Sequence, residues 1–463
     1  MKRVPRPCRV VCDRLGIYRG PANTHYNLHL RDEPSAVHTK EPMPAAQSDA
    51  TKLDISKIRA QFPALLQTVN GHAAIFLDGP GGTQVPQRVI DAISHYLSRD
   101  KANSGGNYET SRRTDRMLLE ARQAMADFLG CDADEVAFGL NMTTLTFAMS
   151  RALGRELNPS DEILLTCLDH DANFAPWKAL EERGVVIRVA DIHERDCTLN
   201  MADLASKINP RTRIVAVGLA SNAVGTINDV NEITRLAHQV GALSYIDAVH
   251  YAPHGPIDVK AIDCDFLACS AYKFFGPHMG ILYGKREHMQ RLTPYKVRPA
   301  SNDSPQRWET GTQNHECIAG ITECVNYLAD LGRGVDGGVT SRRQAILKAM
   351  QEIQSYERAL AEQLIAGLLK IRGLKFYGIT DSRKFAQRCP TVAVRIEGHT
   401  PAELAKRLNE RGIFTWDGNY YAINLSERLS VESTGGFLRI GLAHYNSAHE
   451  VDTLLRALQE ITV

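Results

Sequence analysis

Lys273 stands in "CSAYKFFGPHMGILYG" (residues 269–284), after a short apolar run, beside aromatics and just before Gly276-Pro277. Lysine is rarely fully buried without a partner. The side chain therefore has two readings: a solvated strand-end amine, or a desolvated amine of lowered pKa that forms a Schiff base with a carbonyl group. Upstream lies an ordered series of other reactive types. Thr143 and Thr144 fall in "NMTTLTF", His170 in "LDHDANFAPW", Asn222 in "SNAVGT", and Asp247 and His250 in "IDAVHY".

The elements that must position them are legible. "EVAFGL", "EILLTCL", "VVIRVAD", "TRIVAVGLA", "ALSYID" and "CDFLACS" are short apolar runs with branched residues, the pattern of buried strands. Amphipathic stretches such as "TDRMLLEARQAMADFLG" and "NEITRLAHQVG" lie between many of them. That alternation predicts a mostly parallel sheet with helices on both faces. In such sheets ligands gather at the carboxyl ends of the strands. Thr143, His170, Asn222, Asp247, Ser270 and Lys273 each follow one of these runs. "LGRGVDGGVTSRR" near 331–343 reads as a glycine-rich connection. Beyond it a long helix and the strands "KFYGI" and "TVAVRI" predict a smaller C-terminal α+β domain.

Singly, each residue has a plainer explanation: Asp247 a helix cap, the threonines a helix start, His170 a satisfied loop histidine, Asn222 a turn residue. Together and in this order they meet the needs of pyridoxal phosphate. A phosphate wants backbone N–H groups and hydroxyls at a helix N-terminus, which Thr143 and Thr144 supply. The pyridine nitrogen stays protonated when a carboxylate faces it, the part of Asp247. His170 offers a ring to cover the pyridine, Asn222 and His250 offer polar partners to its phenolate oxygen, and Lys273 offers the amine.

The bulk composition excludes other classes. With 463 residues and a formal net charge of +1, the chain has no basic field for nucleic acid and no acidic tail. No apolar run is long enough to span a membrane. Ten cysteines form no CxxC pair, which favours reduced thiols and a cytoplasmic setting over disulfides or zinc. Residues 1–52 are arginine-rich, then polar with prolines, and are expected to be a disordered extension. Residues 53–330 are expected to form the large domain, with 53–74 packing on the small one, and 331–463 the small domain.

The sequence resembles the class V aminotransferases of pyridoxal phosphate fold type I, most closely their cysteine-desulfurase-like branch. The resemblance runs from "IFLDGPGGTQVP" at 75 to "LRIGLAHYNSAHEVDTLL" and includes the lysine, aspartate, asparagine, histidine and threonine segments above. It implies an α/β fold with a mostly parallel seven-stranded sheet in the large domain. It implies a pyridoxal 5′-phosphate enzyme with Lys273, His170 and Asp247 as its catalytic set. The cofactor contacts implied are Thr143, Thr144, His170, Asn222, Asp247, His250, Ser270 and Lys273. Thr312, in "ETGTQN", resembles a residue that reaches the phosphate of a neighbouring subunit, which implies a homodimer with shared sites. Arg439, in "LRIGLAHYN", resembles the arginine that forks the substrate carboxylate.

Two departures stand out. Tyr272 precedes the lysine where desulfurases usually have histidine. The loop that carries their nucleophilic cysteine reads "FTWDGNYYAINL" (414–425), with Tyr421 in the cysteine's place, and no cysteine follows Cys389. Without that thiolate the usual persulfide transfer is closed. The expectation is then C–S cleavage by β-elimination on an amino acid, with Tyr421 and Trp416 setting specificity for a larger or apolar group. Transamination or epimerisation on the same fold, a desulfurase using another thiol, and a non-catalytic cofactor-binding regulator remain as alternatives.

Overall fold

The fold is seen in a computed structural model that describes residues 52–462; the expected N-terminal extension lies outside the described residues except for Lys52. Seven strands form the main sheet: β1 (Val136–Gly139), β2 (Glu162–Thr166), β3 (Val186–Ala190), β4 (Thr212–Gly218), β5 (Leu243–Asp247), β6 (Phe266–Ser270) and β7 (Gly280–Gly284). Their order is β1-β7-β6-β5-β4-β2-β3. β7 is antiparallel to both of its neighbours, and the other pairings are parallel. Six strands therefore point one way, and their carboxyl ends share one edge.

The near-continuous apolar runs are explained by burial on both faces. Leu164, Val215, Val217, Ile246, Leu267 and Ile281 pack into one core. Their neighbours in sequence, Ile163, Leu165, Ile214, Ala216, Tyr245 and Leu282, pack into another. Alternate side chains of a strand point to opposite faces, so each run feeds both cores. Helix α1 (Glu109–Leu129) contributes to the first core and α2 (Met142–Leu153) to the second.

A second sheet of four antiparallel strands has the order β8 (Leu374–Tyr377), β9 (Thr391–Ile396), β11 (Phe437–Gly441), β10 (Trp416–Gly418). Its own core includes Val392, Val394, Leu438 and Ile440 with Leu364, Leu454 and Leu458 from helices. Ile75–Phe76 pairs in parallel with Ile413–Phe414, and Asp78 bridges to Gly441. The residues after Phe76 are thereby laid beside this sheet.

The expected connection is shorter than the glycine-rich stretch suggests. It is confined to 336–341: α3 (His315–Val335) runs through Gly332 and Gly334, Gly337 and Gly338 form the turn, and α4 begins at Arg342, running to Leu368. Gly332 is a packing residue, since a Cβ there would meet the Ala345 carbonyl oxygen at 1.8 Å. Glycine lets two antiparallel helices touch, which sequence alone cannot tell from a loop.

Candidate active site

A cavity of about 380 Å³ opens at the shared carboxyl edge of the main sheet, and residues 416–421 and Arg439 of the second sheet also line it. Five of the seven strands deliver reactive groups to its wall: Thr143 after β1, His170 after β2, Asn222 after β4, Asp247 and His250 at and after β5, Ser270 and Lys273 at and after β6. Trp416 and Tyr421 complete the opposite wall.

Lys273 ends a single helical turn after β6. Its Nζ donates to the Pro80 carbonyl oxygen and sits 4.8 Å from the centre of the Tyr272 ring. Burial, then the positive charge of Arg439, pushes its amine down to about 7, with Asp247 and Asp78 opposing. This is the desolvated amine rather than the solvated one. Asp247 is buried and accepts the Val249 N–H at 2.9 Å. Burial is the largest cause that pushes its carboxyl up to about 7. A cationic partner on its free side would restore the charged form.

His170 accepts the Ala172 N–H on Nδ1 at 3.0 Å, and burial holds its imidazole down to about 4, so the ring is neutral at ordinary pH. The Tyr421 ring stacks on it at 5.4 Å and 25°. Beneath it Asp169 is buried, accepting from Thr166 Oγ1 at 2.5 Å and Asn173 Nδ2 at 3.0 Å. Gly218 makes room for it, since a Cβ there would meet Asp169 Oδ1 at 3.1 Å.

The N-terminus of α2 faces the cavity through Asn141, Met142 and Thr143. The Met142 N–H donates to Ser270 Oγ at 3.0 Å, which leaves the serine's own proton free. Gly280 permits this approach, because a Cβ would meet the Asn141 carbonyl carbon at 2.4 Å. Thr144, expected beside Thr143, does not line the cavity. Its hydroxyl donates to the Asn141 carbonyl at 2.9 Å and its N–H is capped by Asn141 Oδ1 at 2.9 Å. The side chain is committed to the helix cap. Thr312 lies at a separate surface depression beside Gly311 and Gln313.

Arg439 is buried on β11. Its Nη1 donates to the Asn222 carbonyl at 3.0 Å, its guanidinium lies 4.0 Å from the centre of the Tyr420 ring, and its Nε has no partner. Burial pushes it down to about 10, still charged near neutrality. Tyr420 is a site residue that sequence reasoning missed. Asp78 is another: it is partly buried, pushed up to about 6 mainly by burial, and couples to Arg439 and Lys273.

The polar groups left over test whether pyridoxal phosphate fits. Asn222 Oδ1, His250 Nε2 and Arg439 Nε are buried without partners, and orphaned buried polar atoms are costly unless a ligand meets them. A helix N-terminus, a free serine proton, a lysine amine and a facing carboxylate surround the same space. The residues fit the cofactor. Among the described residues no cysteine lines this cavity. Cys167, on the segment that leads to His170, is buried and its thiol is pushed up to about 12 by burial.

Fold and site together define a pyridoxal phosphate enzyme of the α/β kind. The Aminotransferase class-V family profile matches residues 75–454, and the chain belongs to that family. Its cofactor is pyridoxal 5′-phosphate. The chain is 31% identical over 424 residues to a cysteine desulfurase of Pectobacterium atrosepticum, 88% of this chain and 98% of that protein. A longer relative from Mycolicibacterium paratuberculosis, named "Probable cysteine desulfurase", is 31% identical over 457 residues; the match takes in 95% of this chain but 62% of that protein. The solved cysteine desulfurase CsdA of Escherichia coli superposes with a TM-score of 0.75 at 26% identity, over 89% of this chain and 99% of that one. The cysteine desulfurase of Thermococcus onnurineus shares the fold, with a TM-score of 0.79 at 24% identity, over 91% and 99%.

Proposed function

We propose that this chain cleaves a C–S bond of an amino acid by β-elimination, without forming a persulfide on the protein. The observation that carries the reading is the composition of the cavity wall: amine, carboxylate and guanidinium are present, and among the described residues the thiol is not. Where the related loop is read to hold a cysteine, this chain presents Tyr421, and a phenol does not accept sulfur.

Pyridoxal phosphate, when bound, supplies the electron sink that makes the amino-acid Cα–H acidic. Arg439 binds the substrate carboxylate with its unpartnered Nε and the outer edge of its fork. Lys273, with an amine near 7, takes the proton from Cα, since a base works best when its pKa lies near the operating pH. Asp247 would face the ring nitrogen and hold its proton in place. His170, neutral and fixed by its Nδ1 bond, covers the ring face. Ser270 and Thr143, the helix-start residue whose N–H is taken by neither Ser270 nor the Asn141 cap, would hold the phosphate.

Thr312, outside this cavity, is read as a phosphate contact made to a second copy, so the active form is a homodimer. The division into a large domain (53–330) and a small one (331–463) belongs to the same proposal, supported by the separate core of the second sheet. The relatives' names favour a second reading, a cysteine desulfurase whose thiol comes from elsewhere. Incubation of the purified enzyme with sulfur-containing amino acids tests the elimination. Pyruvate and ammonium released without an added keto acid support it. Turnover that requires a keto-acid acceptor would replace it with transamination.

A further inference from the structure

We infer that the substrate is a cysteine S-conjugate whose sulfur carries a bulky aromatic group, rather than free cysteine; this rests on the elimination reading above. Trp416 on β10 is the direct cross-strand partner of Arg439 on β11, so both side chains rise from the same face of the sheet. The carboxylate fork thus fixes the amino-acid end beside the indole. Gly81 keeps the space open, since a Cβ there would lie 2.7 Å from the indole ring and 3.7 Å from Arg439 Nη2.

Neither ring is buried in the chain's own core, although one face of Tyr421 stacks on His170. Trp416 is 50% exposed and Tyr421 is 70% exposed, yet both line the cavity. Tyr421 is also held in the left-handed region, at φ 61, where a non-glycine residue is strained. Its carbonyl accepts the Asp171 N–H at 2.7 Å and its N–H donates to Asn419 Oδ1 at 3.0 Å. Strain of this kind persists where the surroundings over-determine it, commonly at ligand sites. The thiol of free cysteine is too small to engage these two rings. An aromatic group on sulfur would lie between them and gain offset or edge contacts.

The chemistry balances for such a substrate. Lys273 takes the Cα proton. The Cβ–S bond breaks with both electrons passing to sulfur, and R–S⁻ leaves and takes up a proton. The remaining three-carbon enamine tautomerises and adds one water to give pyruvate and ammonium. An arene thiolate is the weaker base and leaves more readily, so no protein thiol is needed to receive sulfur.

The test uses the cofactor-loaded enzyme with S-phenyl-, S-benzyl- and S-methyl-cysteine and free cysteine, with pyruvate as the readout. The expected result is a kcat/KM for the aromatic conjugates at least about tenfold above S-methyl-cysteine and cysteine, the scale on which an apolar pocket discriminates. Trp416→Ala should collapse that ratio toward one, with cofactor absorbance and far-UV circular dichroism reporting that it is folded and loaded. Pyruvate formed equally well from S-methyl-cysteine or cysteine would overturn the inference and leave the elimination reading standing. No pyruvate from any of the four would overturn both.

Discussion

The guanidinium of Arg439 sits over the ring of Tyr420, 4.0 Å from its centre, and donates to the backbone of Asn222 at 3.0 Å. Tyr420 in turn receives the Asn222 side-chain N–H on its own carbonyl at 2.9 Å, and its hydroxyl donates to the Phe437 carbonyl. One tyrosine thus links Arg439 on the second sheet to the asparagine turn that follows a strand of the first. A desolvated cation–π contact is worth about 2 kcal/mol. Tyr420→Leu should therefore weaken binding of amino-acid ligands by about tenfold or more, measured by titrating the cofactor absorbance, while the rate at saturation falls little. Tyr420→Phe should keep the affinity and lose about 1–3 kcal/mol of stability, because it leaves the buried Phe437 carbonyl without its donor. Equal effects of the two substitutions on ligand affinity would show that the ring is not what positions Arg439.

Lys273→Ala should fold, bind pyridoxal phosphate loosely, and lose covalent attachment. Borohydride treatment followed by mass measurement gives the cofactor adduct in the native chain and none in the variant. An adduct that survives the substitution would assign the amine elsewhere.

Asp247→Asn replaces a carboxylate with an amide that cannot hold the ring nitrogen protonated. Cofactor binding should persist and turnover should fall by at least about a hundredfold, near 3 kcal/mol of barrier. Turnover within a few-fold of the native rate would remove Asp247 from this role.

The amine of Lys273 is pushed down from its ordinary 10.5 to about 7 by burial and by Arg439. Only the neutral amine attacks an aldehyde. The rate of covalent capture of pyridoxal phosphate by the apo-protein should therefore rise with pH and level off a little above 7. A rate still climbing steeply from pH 8 to 10 would place the amine in a solvated setting.

Much of this was legible in the sequence because strands buried on both faces write themselves as unbroken apolar runs, and after five of them a reactive residue stands at or just past the end. Thr143 and Thr144 look equivalent in "NMTTLTF", but the helix cap uses the second, three residues after Asn141, and leaves the first at the cavity. Tyr420 and Tyr421 look equivalent too. Which ring goes inward depends on two consecutive residues with positive φ, 57 and 61, and nothing in the residue types announces that. Asp78 was hidden in a glycine-rich segment whose position is set by pairing with Ile413–Phe414, far away in the chain. Gly332 was read as loop because close helix packing and turn formation ask for the same residue.

In the proposed elimination, sulfur leaves the substrate without passing through a protein thiol. A thiolate that takes sulfur leaves a carbon skeleton that is protonated to alanine, whereas elimination expels sulfur as an anion and ends in pyruvate. The deciding measurement is the co-product from a C–S substrate, quantified together with the intact mass of the protein during turnover. Pyruvate in step with released thiol or sulfide, and a protein mass with no added sulfur, is the predicted result. Alanine in step with a cysteine that has gained one sulfur would contradict it, and would mean that a thiol outside the cavity wall does what Tyr421 cannot.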